Sequence, residues 1–123
     1  NTYLRPMDKP YRITDQADSI QVLCVSDLLS EVDNRQIMQA VESKIDKGFP
    51  NFIVDLSEIN YMNSVGINFL IKLRRKAQAA GGKLAVVHAS GKVKQLLDIT
   101  KLRPMFFLTD SMQDAVAFIT SHQ

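Results

Sequence analysis

Tryptophan is absent from the 123 residues, cysteine occurs once, and there are only five glycines and four prolines. A lone cysteine, Cys24, cannot close an internal disulfide, and no Cys/His cluster offers zinc ligands. The few glycines and prolines exclude collagen-like and low-complexity classes. No apolar run approaches the ~18 residues of a membrane-spanning helix, and no basic segment leads into a signal-type apolar stretch. These absences lead us to expect a soluble, cytoplasmic protein without direct membrane insertion, and with neither metal nor cofactor.

What is present is ordinary for a globular chain: 46% hydrophobic and 23% charged residues. The length suits one domain, which buries roughly 65% of the unfolded surface and needs no covalent staple. The net charge of +2 hides an asymmetry. Residues 1–61 carry six basic and ten acidic side chains, and residues 62–123 carry nine basic and three acidic ones. All nine of those bases fall between Lys72 and Arg103. Such a bias can mark a nucleic-acid surface. However, the densest run, Lys72, Arg74, Arg75 and Lys76, lacks aromatic interleaving and spreads around a helix, so a solvated helix face is expected there and no direct nucleic-acid contact.

Asn1–Asp8 shows no periodicity and is expected to be irregular, with the domain over residues 9–123. Strands are expected at Tyr11–Asp15, Ser19–Ser26, Phe52–Leu56, Leu84–His88 and Met105–Leu108. Between them lie helical stripes. The first, capped by Ser30, runs Val32, Ile37, Val41, Ile45 and stops at Gly48. The second runs Val65, Phe69, Leu70, Leu73, Ala77, Ala80 and stops at Gly81-Gly82. A third, capped by Ser90, carries Val93, Leu96, Leu97 and Ile99. A last one, capped by Asp110 with Gln113 in the capping-box position, carries Val116, Phe118 and Ile119. Strand–helix alternation implies parallel pairing through helical crossovers, an α/β fold with a small, mixed, mostly parallel sheet and about four helices. In such sheets function gathers where strand C-termini enter helices, which points to Asp55–Gly66.

That stretch reads Asp55-Leu56-Ser57-Glu58-Ile59-Asn60-Tyr61-Met62-Asn63-Ser64-Val65-Gly66-Ile67. It resembles the signature of the STAS domain, the fold of bacterial anti-sigma factor antagonists: Asp-Leu/Phe-Ser, a hydrophobic spacer, then Asp-Ser-Ser/Thr/Val-Gly-Leu/Ile. Ala79-Ala80-Gly81-Gly82-Lys83-Leu84 looks like the family's turn into its next strand. Leu96-Leu97-Asp98-Ile99-Thr100-Lys101-Leu102 is similar to its Leu-x-Leu-Thr-x-Leu helix end, and Phe107 through Val116 to its closing strand and capped helix. The likeness covers Ser19 to Ile119 in order and spacing.

The resemblance implies a single STAS domain, a protein-binding regulator rather than an enzyme, switched by phosphorylation at Ser64 in partner switching over sigma factor availability. Its implied partners are an anti-sigma factor that is also a serine kinase and, in such a system, a serine phosphatase. The implied partner-binding residues are Met62, Asn63, Ser64, Val65, Gly66 and Ile67. The residues themselves agree with a switch. Free amides at a helix N-terminus favour an anion, and a phosphate there adds about −1.5 to −2 charge. Met62 and Ile67, flanking Ser64, are either core or an exposed apolar patch; Ile67 lies off the Phe69–Leu73–Ala77 stripe, which favours some exposure. Gly66 is expected at an exposed helix start, where a partner's backbone approaches.

Two positions depart from the family pattern. Asn63 stands where the family has Asp, so shape is kept and a negative charge is lost. Asp27-Leu28-Leu29-Ser30 replaces the family's Gly-x-Leu-Asp on the partner-facing side. They keep open an alternative, a STAS subunit of a membrane lipid-transport ATPase assembly that binds its partner without phosphorylation. No catalytic residue is expected. His88 and His122 have no nucleophile or carboxylate beside them in sequence. Asp55 is expected to fix its loop through backbone amides, and Cys24 to be a core thiol.

Overall fold

The structure, a computed structural model, describes residues 11–16 and 19–121. Strands β1 (Tyr11–Asp15) and β2 (Ile20–Val25) form an antiparallel pair. Then follow α1 (Glu31–Asp46), β3 (Asn51–Asp55), α2 (Ser64–Ala79), β4 (Leu84–Val87), α3 (Gly91–Ile99), β5 (Phe107–Thr109) and α4 (Met112–Thr120). The five strands lie in the order β1-β2-β3-β4-β5, and every pair after the first is parallel. The expected mixed, mostly parallel sheet with four helices is what the chain forms. The expectation for Asn1–Asp8, like that for His122, lies outside the described residues.

Sheet order equals chain order, which decides where the helices go. Crossovers of one hand that step one way along a sheet leave their helices on one face. Accordingly α1, α2 and α3 share one core with that face, through Ile37, Val41, Leu70, Leu73, Val93 and Leu97. Among the described residues α4 alone covers the other face, where Ala115 and Ile119 meet Ile53, Ala85 and Val87. Lys83, just before β4, holds that helix. Its Nζ donates to Phe118 O at 3.2 Å, Ser121 O at 3.2 Å and Ser121 Oγ at 3.0 Å, and it stands 5.1 Å from the Phe118 ring centre. The central strand is buried on both sides: Phe52 and Val54 face the three-helix core and Ile53 the other. That is why Phe-Ile-Val reads as an unbroken apolar run rather than an alternation.

Ser30 and Ser90 cap α1 and α3 as expected, accepting from Asp33 N at 3.1 Å and Val93 N at 3.2 Å. The cap of α4 is Ser111, not Asp110: Ser111 Oγ accepts from Asp114 N at 3.1 Å, while Asp110 turns to Lys94 at 3.7 Å. Pro104 fixes its own φ and lacks a donor, so Arg103–Met105 forms a 3₁₀ turn and the last strand starts only at Phe107. Val32, Ala80 and Ile99, expected in helical stripes, are exposed. Gly81 ends α2 at φ +86°. A Cβ on Gly82 would collide with the Pro50 carbonyl, so the turn into β4 lies against the turn into β3.

Because the order never reverses, the parallel strands have no switch point, and so none of the crevice in which open α/β sheets hold nucleotides. What the C-terminal edge offers is a row of loops.

Candidate functional site

Asp55 ends β3, and its Oδ1 accepts from Ser57 N at 2.9 Å, the loop-fixing bond expected of it. The loop beyond is pegged to the core at every third residue. Leu56, Ile59 and Met62 are buried, whereas Ser57, Glu58, Asn60 and Tyr61 are exposed. Leu56 N donates to Val87 O at 3.0 Å and Ile59 N to Leu56 O at 2.9 Å, which ties the loop to β4 and to itself.

The cap of α2 is Asn63, not Ser64. Asn63 has extended backbone, and its Oδ1 accepts from Val65 N at 3.0 Å. Asparagine caps as well as serine does. Ser64 therefore stands one position inside, exposed, with its hydroxyl free of a hydrogen bond among the described residues. No acidic side chain lies in the first turn of α2 to offset its N-terminal partial charge. The hydroxyl thus combines solvent access with a local field that favours an anion.

The six residues proposed for partner contact divide in two. Ser64 is exposed, and Asn63 and Val65 are half-buried. Met62, Gly66 and Ile67 are buried, which decides Met62 for the core and corrects the exposure expected of Gly66 and Ile67. α2 crosses from β3 to β4 beside α1 and packs on β4, so it buries a broad arc that takes in Gly66 and Ile67 beside Phe69, Leu70 and Leu73. These three residues support the site from beneath.

The exposed apolar surface at this edge lies elsewhere. Leu29, 43% exposed, stands in the turn from β2 into α1, Val32, 58% exposed, in the first turn of α1, and Tyr61, 63% exposed, in the next loop. β2 and β3 pair in parallel, so both loops leave the same end of the sheet. They also approach each other, since Leu28 Cβ would be 3.3 Å from a Cβ on Gly66. Val32 was legible as an outlier: steps of three or four back from Ile37 reach Asp33 and Asn34, not Val32. Exposed Asp27, Glu31 and Glu58 rim these residues. Asp27 Oδ1 accepts from Leu29 N at 2.8 Å, which holds the turn in shape.

Cys24, at the end of β2, is half-buried and opposite Asp55, with Sγ 3.9 Å from Asp55 Oδ2. Burial first, then the Asp55 charge, pushes its thiol above the ordinary value of 9.0. It is thus a neutral thiol at neutral pH, though less enclosed than expected. His88 follows β4, exposed, at φ +61°. No group of three or more His, Cys, Asp or Glu among the described residues could hold a metal ion. No helix of the described residues is long and apolar enough to cross a membrane.

A five-stranded mixed sheet with three helices on one face, a fourth on the other and a serine opening the helix after the central strand defines a class of small α/β binding domains. The family model of the STAS domain matches residues 11–115, and the chain belongs to that family. A Bordetella bronchiseptica protein with the provisional name anti-sigma factor antagonist BtrV is 19% identical over 103 residues, 84% of this chain and 89% of its own. The crystal structure of a Thermotoga maritima protein, provisionally named an anti-sigma factor antagonist, superposes with a TM-score of 0.77 at 20% identity, covering 92% of this chain and 95% of that one. The anti-sigma factor antagonist SpoIIAA in its unphosphorylated form gives 0.72 at 16% identity, covering 88% and 94%. At these identities the structural likeness is one of fold.

Proposed function

We propose that this protein is an anti-sigma factor antagonist of the partner-switching kind. It binds an anti-sigma factor through the loops at the C-terminal ends of β2 and β3, and phosphorylation of Ser64 by that partner, a serine kinase, releases it. A serine phosphatase would reset the switch. The observation that carries this reading is Ser64 itself: exposed, without a hydrogen bond among the described residues, displaced from capping duty by Asn63, and at the same end of the sheet as exposed Leu29, Val32 and Tyr61. The apolar trio supplies the area that a partner covers. A phosphate among them must be stripped of water when the partner docks, or must hold the surfaces apart, and either weakens the complex. The domain acts by binding rather than catalysis, since no nucleophile, base and oxyanion donors converge at this edge. Such partners place it in the cytoplasm.

Phosphopeptide mapping of the protein purified from its native cells tests the assignment. Phosphate is expected on Ser64 and lost in Ser64→Ala. Phosphate that persists in Ser64→Ala, or sits on Ser57 or Ser90, overturns it. A partner bound equally by wild type, Ser64→Ala and Ser64→Asp would favour the phosphorylation-independent subunit of a membrane lipid-transport ATPase assembly.

A further inference from the structure

Besides Leu29, Val32 and Tyr61, one more large apolar side chain is exposed among the described residues: Ile99, 72% open to solvent at the end of α3. Helix geometry identifies its flank. Successive residues turn by about 100°, so Lys92, Leu96 and Ile99 share one flank of α3 and Lys94 takes the opposite one. Lys94 pairs with Asp110, which follows the edge strand β5. The Ile99 flank therefore faces α2. By the same geometry α2 presents Ile71 and Arg74 there, away from the Glu42–Lys76 pair that ties it to α1. Ile71 and Leu96 are half-buried, so an apolar stripe of Ile71, Leu96 and Ile99 runs between the two helices. Its rim is basic. Arg74 and Arg75 on α2, Lys92 on α3 and Lys101 just beyond it make no ion pair among the described residues. Asp98, the sole carboxylate of α2 and α3, is taken by Arg103 Nη1 at 3.0 Å. Lys92 stands in the first turn of α3, where the helix dipole disfavours a cation, so local helix stability does not explain its place.

We propose that this basic face docks the acidic edge of a second copy of the same chain, with Ile99 entering between Leu29, Val32 and Tyr61. Charge complementarity selects the occupant. The edge sets exposed Asp27, Glu31 and Glu58, without ion pairs among the described residues, around three apolar side chains. The face sets four unpaired cations around an apolar stripe. Each surface thus offers what the other lacks, and both keep apolar area in water that docking removes. An anionic membrane matches the charge but takes up apolar groups that project together, whereas Ile71 and Leu96 are recessed beside Ile99. The contact joins two different surfaces, so it is heterologous and copies add head to tail. It covers the edge assigned above to the anti-sigma factor, so association and partner binding exclude each other. That consequence rests on the proposed function; the docking itself does not.

Sedimentation velocity of the full chain from ~10 μM to ~1 mM tests it, at ~50 mM and ~500 mM salt. Mean mass should rise with concentration at the lower salt, and the association constant should fall at least tenfold at the higher. Arg75→Glu and Glu58→Arg, both changes of exposed side chains, should each weaken association at least tenfold. An equimolar mixture of the two should restore it, because each variant keeps the surface that the other has lost. Ile99→Ser leaves every charge in place and should weaken association as well. A chain that stays monomeric throughout overturns the proposal. So does association undiminished in Ile99→Ser, or a mixture no stronger than its components. A monomeric chain that binds phosphatidylglycerol vesicles through Ile99 overturns it in favour of a membrane surface. Ser64 is intact in every variant, so phosphopeptide mapping decides that reading separately.

Discussion

Gly66 lies against Met62 so closely that a Cβ on the glycine would stand 2.5 Å from Met62 Cγ and 3.3 Å from Leu28 Cβ. The sequence suggests an open helix start at Gly66, where a larger residue would mainly block a partner. In the fold the position is the seam between the two loops. Gly66→Val is therefore expected to destabilise the domain by about 1–3 kcal/mol, as overpacking does, and Gly66→Ala by less. Thermal melts of the free protein decide this; an unchanged melting temperature for Gly66→Val would restore the open-surface reading.

At Ser64 stability and binding should part company. An anion at the first position of α2 meets a helix terminus with no acidic neighbour in its first turn, worth about 0.3–1 kcal/mol. Phosphorylated protein and Ser64→Asp should melt no lower than wild type, while calorimetric titration against the proposed anti-sigma partner should show a loss of about tenfold or more, ~1.4 kcal/mol. Ser64→Ala should keep the affinity.

Asn63 makes the capping bond at 3.0 Å, so Asn63→Ala should cost about 0.5–2 kcal/mol. Asn63→Asp keeps the acceptor and adds a charge that the helix terminus favours, and should be neutral or stabilising. If Asn63→Ala melts as wild type does, the cap is carried by another group.

Cys24 gives a pH signature. Its thiol is raised above 9.0 in the fold, by burial and then by Asp55, so the folded chain holds that proton more tightly than the unfolded one. The stability associated with it is fully present below the unfolded value and is lost as pH rises through the folded value. Wild type should lose stability relative to Cys24→Ala only above about pH 9, and the thiol should alkylate slowly near neutrality. The stability difference between the two proteins, measured by denaturant unfolding from pH 6 to 10, reads this directly.

The basic half of the sequence is in part locally committed. Lys76 pairs with Glu42, Lys94 with Asp110 and Arg103 with Asp98, and Lys83 holds the end of α4. Generic duplex and single-stranded DNA should bind no more tightly than about 10⁻⁶ M at ~150 mM salt, by fluorescence anisotropy.

The elements and two of the helix caps were legible because each rests on local chemistry: Ser30 and Ser90 before apolar stripes, Gly48 and Gly81 after them. The support beneath the site was less so. The burial of Ile67 depends on α2 being the middle of three crossovers on its face of the sheet, a fact of sheet order that no helical stripe contains. Met62 is buried by a loop that touches the core every third residue, a spacing that is neither helix nor strand. Likewise Gln21, between apolar neighbours of β2, is buried with its amide donating to Asp15 Oδ1 at 2.8 Å, a pairing set by the antiparallel register. The exposed Leu29 and Tyr61 carry no local signal at all; apolar loop residues look alike in sequence whether they face inward or outward.

The grip of Lys83 on Phe118 and Ser121 bears on how the molecule would come apart. Among the described residues α4 is the sole helix over its face of the sheet, nine residues long, and fastened at its far end by one lysine side chain. Short helices with few anchors open before the rest of a domain does. Lifting α4 would bare Ile53, Ala85 and Val87 together, an apolar strip across two adjacent strands and the kind of surface that joins one copy to another. Lys83 is thus the latch of the helix that covers this strip.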